Sequence, residues 1–155
     1  MKPSELTDFE DRDRNIFWIL YVLDKALEEW FNESFDFSTY PDFQFTYLSF
    51  FMRIGLSGIS TSELALLTGV TKQGAGRIVR KLVSYKLVKA EKSDSDARLL
   101  RLYLTESGKK FYQQMDEMTN ELLAEHIKVV GAKKYHTTVD TLIELTHYYQ
   151  KKAKK

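Results

Sequence analysis

Two helix starts and the glycine between them constrain this chain more than any other feature. Ser60-Thr61-Ser62-Glu63 has the pattern of a capping box, in which the Ser60 and Glu63 side chains serve each other's backbone N–H groups. A short helix follows through Leu67. Thr68-Gly69-Val70 then reads as a tight turn, because Gly69 takes positive φ without steric cost. Thr71 is placed to cap the next helix, which the pattern carries to about Tyr85. Ala65 is small where the two helices would cross, and Ala75 and Ile78 face back toward the first helix. A small residue, a turn glycine and two apolar residues at this spacing are those of a helix-turn-helix.

The second helix of the pair separates cleanly into two faces. At about 100° per residue, with Lys72 at 0°, Gly76, Arg80, Gln73, Ser84 and Arg77 fall between about 40° and 140°. Ala75, Ile78, Val79 and Leu82 fall between about 240° and 340°. The apolar stripe belongs to a core. The opposite face offers Lys, Gln, Arg, Arg and Ser with no acid, the donor-rich types that read base edges and grip phosphates. Formal charge is concentrated there. Residues 71–101 hold nine basic and three acidic residues, net +6, inside a chain of net charge +1. A field of this kind on one face suits a polyanion.

The periodicity then changes. Leu87 to Glu91 alternates apolar and polar, and so does Leu99 to Leu104 around Leu100, Leu102 and Leu104. The polar KSDSDAR between them makes this a β-hairpin with a charged tip. A helix-turn-helix followed by such a hairpin is a winged helix, its wing within reach of an adjacent minor groove. At the tip, Asp96 stands two residues before Arg98 and can hold its guanidinium by a charge-assisted bond. An arginine so directed is favoured in a narrow minor groove.

The rest of the chain reads as helix. Asp13 to Glu33 includes Ile16 to Leu23, eight consecutive apolar residues that cover most of the helix circumference. Such a helix must be buried on several sides, most easily by a second subunit. FNESFDFSTYPD interrupts it, with Pro41 as a stop. A second helix is expected from Asp42 to Ile54, with Phe45, Leu48, Phe51 and Met52 inward, and GLSGIS as a turn. Thr105-Glu106-Ser107-Gly108 opens a helix carrying Phe111, Met115, Met118, Leu122 and Leu123, which Gly131 breaks. A last helix from Ala132 to Lys152 carries Val139, Leu142, Leu145 and Tyr149 on one side. The 155 residues suit one domain with a real core. There is no cysteine, which excludes a disulfide framework and a thiolate zinc site and fits a reducing cytoplasm. The polar N-terminus lacks a signal-peptide pattern and no apolar run approaches a membrane span, so a cytoplasmic protein with no membrane association is expected.

From Ile59 to Phe111 the chain closely resembles the DNA-binding core of the MarR family of bacterial transcriptional regulators. The resemblance is carried by the Ser-Glu-Leu-Ala helix start (Ser62 to Ala65), the Gly69-Val70 turn, the Lys72-Gln73 helix start and the exit LVSYKLV. Asp96-x-Arg98 in the wing and Leu-Thr-x-x-Gly (Leu104, Thr105, Gly108) complete it. It implies a mainly α fold with a small β-hairpin wing: a winged-helix lobe over residues 42–105, flanked by dimerisation helices in 1–41 and 106–155, all within one MarR-like domain. It implies a homodimer that binds double-stranded DNA at a pseudo-palindromic operator, acting as a repressor and released by a small aromatic or amphipathic effector. Carried over by position, Thr71, Lys72, Gln73 and Arg77 would face bases or phosphates, Arg80 the DNA backbone and Arg98 a minor groove. Trp18, Tyr21, Phe45 and Tyr47 are the aromatics that could line an effector pocket, although aromatics at helical spacing read first as core. Without cysteine the chain cannot be one of the family's cysteine-based peroxide sensors. One departure stands out. Gly74 and Gly76 occupy positions where members usually carry small but helix-compatible residues. Each glycine costs about 1 kcal/mol in a helix interior relative to Ala. Gly76 offers no side chain to read a base, which leaves a close approach of its backbone to DNA or a helix start loose enough to adjust.

Other functions fit less well. Gly74-x-Gly76 is not a dinucleotide-binding fingerprint, since a helix and turn precede it and the third position is Val79. His136 and His147 would lie about 16 Å apart along a helix, too far to share a metal. No enzymatic activity, cofactor or metal is therefore expected. The alternative is a winged helix used for protein–protein contacts, against which the cationic helix face argues.

Overall fold

The computed structural model describes residues 14–92 and 100–152 and divides the chain into two units, residues 1–46 and 47–155. In the first, α1 spans Ile16–Ser34. It starts later than Asp13 because the Asn15 side chain accepts the N–H groups of Phe17 (2.9 Å) and Trp18 (3.4 Å). It ends where Phe35 turns extended while its N–H still reaches the Phe31 carbonyl at 3.2 Å. Phe31 is fully buried. The rings of Phe35, Phe37, Phe43 and Phe45 surround it at centroid distances of 6.0, 5.4, 6.3 and 5.5 Å. The segment that reads in sequence as a mere interruption therefore supplies this unit's core. Asp36 closes the turn by accepting from the Ser38 N–H and hydroxyl, bonds that hold its carboxyl below the usual range, the backbone bond most of all.

The N-terminal half of α1 has no such cover. Ile16 to Leu23 are each 43–80% exposed on the single chain. Among the described residues no helix is long and apolar enough to cross a membrane.

The next helix, α2, is Phe45–Ile54 and not the expected Asp42–Ile54. Asp42 has φ 63°, a left-handed conformation that cannot continue a right-handed helix. Leu48, Phe50, Phe51 and Ile54 are buried; Met52 is only half-buried. Phe51 meets the Phe111 ring edge-on at 5.1 Å. The chain turns at Gly55 and Gly58, both with positive φ, and then pairs as a strand, β1 (Ile59–Ser60), where only a turn was expected. Two residues are too few for alternation to register.

Helices α3 (Thr61–Thr68) and α4 (Lys72–Ser84) follow, then β2 (Val88–Lys92) and β3 (Leu100–Leu104). The sheet has the order β1-β3-β2 and is antiparallel throughout, with Ile59 opposite Leu102 and Val88 opposite Leu104. Leu102 and Leu104 are buried while Leu100 is exposed, so the alternation points inward only toward the base of the hairpin. Leu64, Ala65, Ala75, Val79, Leu82, Leu87 and Val88 complete this core with Phe111 and Met115. Those last two belong to α5 (Glu106–Val130), which Gly131 ends with φ 84°. The last helix, α6 (Ala132–Lys152), buries no residue on the single chain: Val139 and Leu142 are half-buried, Leu145 and Tyr149 exposed.

Candidate nucleic-acid interface

The α3–α4 pair is held by its caps. The Ser60 hydroxyl accepts the Glu63 N–H at 3.2 Å and the Glu63 carboxylate accepts the Ser60 N–H at 2.8 Å, the full capping box. The bond from the Ser60 N–H is the main reason the Glu63 carboxyl titrates below its ordinary range. At the other end Gly69 adopts φ 69°, ψ 19° and donates its N–H to the Ala65 carbonyl. A residue with a Cβ would be strained there. Thr71 is extended, and its hydroxyl accepts the Gly74 N–H at 3.1 Å. Ala65 and Ala75 are both buried where α3 and α4 pack together, and Leu82 is fully enclosed.

This packing fixes which face of α4 is presented. Lys72, Gln73, Arg77, Arg80 and Ser84 are exposed and Gly76 is half-buried among them. Among the described residues no carboxylate pairs with Lys72, Arg77 or Arg80. Three other cations of the basic segment, Lys81, Lys89 and Arg101, are already engaged. Lys89 pairs with Glu91 at 2.7 Å, and Lys81 sits over the Tyr85 ring at 5.1 Å. Arg101 donates to the Gly58 carbonyl at 2.9 Å and lies 3.9 Å from the Glu63 carboxylate. Arg101 thus ties β3 to the start of α3. Sequence reasoning counted it only as charge, since its role depends on the two-residue strand β1, which leaves no periodic signal.

The two helical glycines have different surroundings. A Cβ at Gly74 would lie 3.3 Å from the Thr71 hydroxyl, against the cap itself. A Cβ at Gly76 would meet only the Arg80 Nη1, at 3.7 Å, an ordinary contact. Gly74 thus leaves the cap unhindered, while Gly76 leaves a bare place on the exposed face, with the Arg80 guanidinium lying beside it.

The base of the hairpin is clamped to α5. The Thr105 N–H donates to the Leu87 carbonyl at 3.0 Å, and the Ser107 hydroxyl donates to the Lys86 carbonyl at 2.8 Å. The Thr105 hydroxyl caps α5 by accepting the Gly108 N–H at 2.9 Å. Gly108 itself packs on the Leu87 backbone so closely that a Cβ would collide with the Leu87 carbonyl. The Leu-Thr-x-x-Gly pattern is therefore a joint between wing and helix. The tip residues Asp96 and Arg98 lie outside the described residues.

The aromatics singled out in the sequence fall in different settings. Trp18 and Tyr21 stack on each other at 5.9 Å on exposed α1, Phe45 belongs to the Phe31 cluster, and Tyr47 is half-buried on α2. Among the described residues no group of three or more His, Asp or Glu side chains is arranged to hold a metal ion.

A sequence model of the MarR family matches residues 39–99, from just before α2 to just before β3. No curated protein matches the chain in sequence. Among solved structures, the transcriptional regulator SlyA superposes with a TM-score of 0.74 at 18% identity, covering 89% of this chain and 96% of that one. Streptococcus pneumoniae FabT, solved in complex with DNA, gives 0.74 at 14% identity, with 93% and 99% covered. S. aureus MepR, also solved with DNA, gives 0.71 at 12% identity, with 87% and 98% covered. At such identities the likeness establishes the fold: mainly α, with a winged helix-turn-helix. Sequence match and shared fold agree: residues 39–99 match the MarR family, and the chain has the fold of these regulators.

Proposed function

We propose that this protein is a sequence-specific DNA-binding transcriptional regulator that acts as a homodimer on a pseudo-palindromic operator, as a repressor. The observation that carries the reading is the exposed, acid-free face of α4, held outward by caps at Ser60 and Thr71 and by the buried alanines beneath it. The structures of FabT and MepR with DNA lend it support. In this reading α4 enters the major groove, with Thr71, Lys72, Gln73, Gly76, Arg77 and Arg80 against the duplex. Asp96 and Arg98 serve the wing in the minor groove. The apolar half of α1 is covered by the second copy, an arrangement that removes Ile16 to Leu23 from water. A small aromatic or amphipathic effector that disturbed α1 near Trp18 and Tyr21 would release the DNA.

The test is selection of duplexes from genomic fragments, followed by binding at several salt concentrations. Neutralised phosphates release counterions, so affinity for the selected duplex should fall steeply with salt. Arg77→Ala and Arg98→Ala should each weaken binding without changing the mass of the protein in solution. A wild-type protein that selects no sequence at moderate salt overturns the reading.

A further inference from the structure

We infer that Arg80, seated over Gly76, reads a guanine in the operator; Arg80 is thus a base-specificity determinant and Gly76 the residue that positions it. This rests on α4 being the recognition helix. The resemblance, carried over by position, would put Arg80 on the DNA backbone. Three observations move it. At about 80° on the helical wheel, Arg80 stands at the middle of the polar arc that runs from about 0° to 140°, where a groove floor would lie. A helical side chain leans toward the N-terminus and covers the turn before its own Cα. For Arg80 that place is Gly76, where the missing side chain leaves the path open, and the guanidinium Nη1 lies 3.7 Å from where a Cβ would stand. Leaning back one turn carries the guanidinium about 5.4 Å toward the end of the helix that enters the groove. No carboxylate among the described residues holds Arg80 elsewhere. An arginine presented there matches the O6 and N7 acceptors of guanine in two parallel bonds. Position 76 therefore reads DNA although it has no side chain, through the arginine one turn later.

The experiment uses the full-length protein and the duplex it selects. Each base pair is varied in turn, and affinities are measured for wild type, Arg80→Ala and Gly76→Met. Methionine suits a helix, fills the seat and cannot reproduce the two hydrogen bonds. Circular dichroism checks that each variant folds. Wild type should prefer one G·C pair per half-site by about 10-fold or more. Replacing that guanine by 7-deazaguanine, which lacks N7, should erode the preference for wild type and leave Arg80→Ala unaffected. Gly76→Met should lose the same preference. If Arg80→Ala weakens all duplexes equally and lowers the salt slope by about 1, Arg80 holds a phosphate and the inference fails while the proposed function stands. Retention of the guanine preference in Gly76→Met overturns the seat. A wild-type protein that selects no sequence overturns both.

Discussion

Gly108 is the position where one added methyl group would do most harm. Its Cα rests against the Leu87 carbonyl, and neither backbone can yield without opening the hairpin base or unwinding the first turn of α5. Gly108→Ala should cost about 1–3 kcal/mol of stability, as overpacking does, read as a lowered denaturant midpoint with an unchanged slope. The glycines of α4 should behave in the opposite sense. Gly76→Ala gains helix propensity with only an ordinary contact to Arg80, so it should stabilise the fold by about 1 kcal/mol. Gly74→Ala places its methyl 3.3 Å from the Thr71 hydroxyl, so part of that gain is returned through a weakened cap. Thermal unfolding of the two variants side by side should rank Gly76→Ala above Gly74→Ala. The cost of a helical glycine was legible in the sequence. The difference between the two was not, because it depends on which side chain lies over each.

At the scale of elements, local chemistry was readable and short pairing was not. The capping box at Ser60, the left-handed Gly69, the Thr71 cap and the break at Gly131 all follow from residue types at fixed offsets, and all four are present. The left-handed turn at Asp42 escaped notice because a non-glycine residue there gives no signal in sequence. The phenylalanine cluster around Phe31 was hidden because its partners come from an irregular segment with no period to detect. Glu63 links element and pH. Its carboxyl titrates below the ordinary glutamate value, chiefly through the Ser60 N–H. The stabilisation it lends is therefore present above that value and is lost as pH falls through the lower folded value. Glu63→Gln should be less stable than wild type near neutrality, and the gap should narrow below about pH 4. Urea midpoints measured along an acid series would read the convergence; a constant gap would mean the carboxylate charge contributes nothing to the box.

For the whole molecule the outstanding physical fact is the apolar half of α1, with every residue from Ile16 to Leu23 at least 43% exposed. Its composition could be read directly, and so could the need for cover. Which surface covers it lies beyond a single chain. With a second copy as the cover, Ile19→Glu places a charge in the middle of that face and should shift the sedimentation mass toward the monomer. Affinity for a two-half-site duplex should then fall toward that of a single half-site. An unchanged mass would mean that Ile19 lies outside the contact between copies. The same logic makes thermal stability rise with protein concentration for the wild type but not for the variant.

The joint at Thr105, Ser107 and Gly108 bears on how force would pass through the protein. Two carbonyls of the hairpin base are bonded to the first residues of a 25-residue helix, and the glycine removes any slack between them. A lever welded at its pivot transmits a small rotation undiminished. Tilting α5 would therefore turn the base of the hairpin with it.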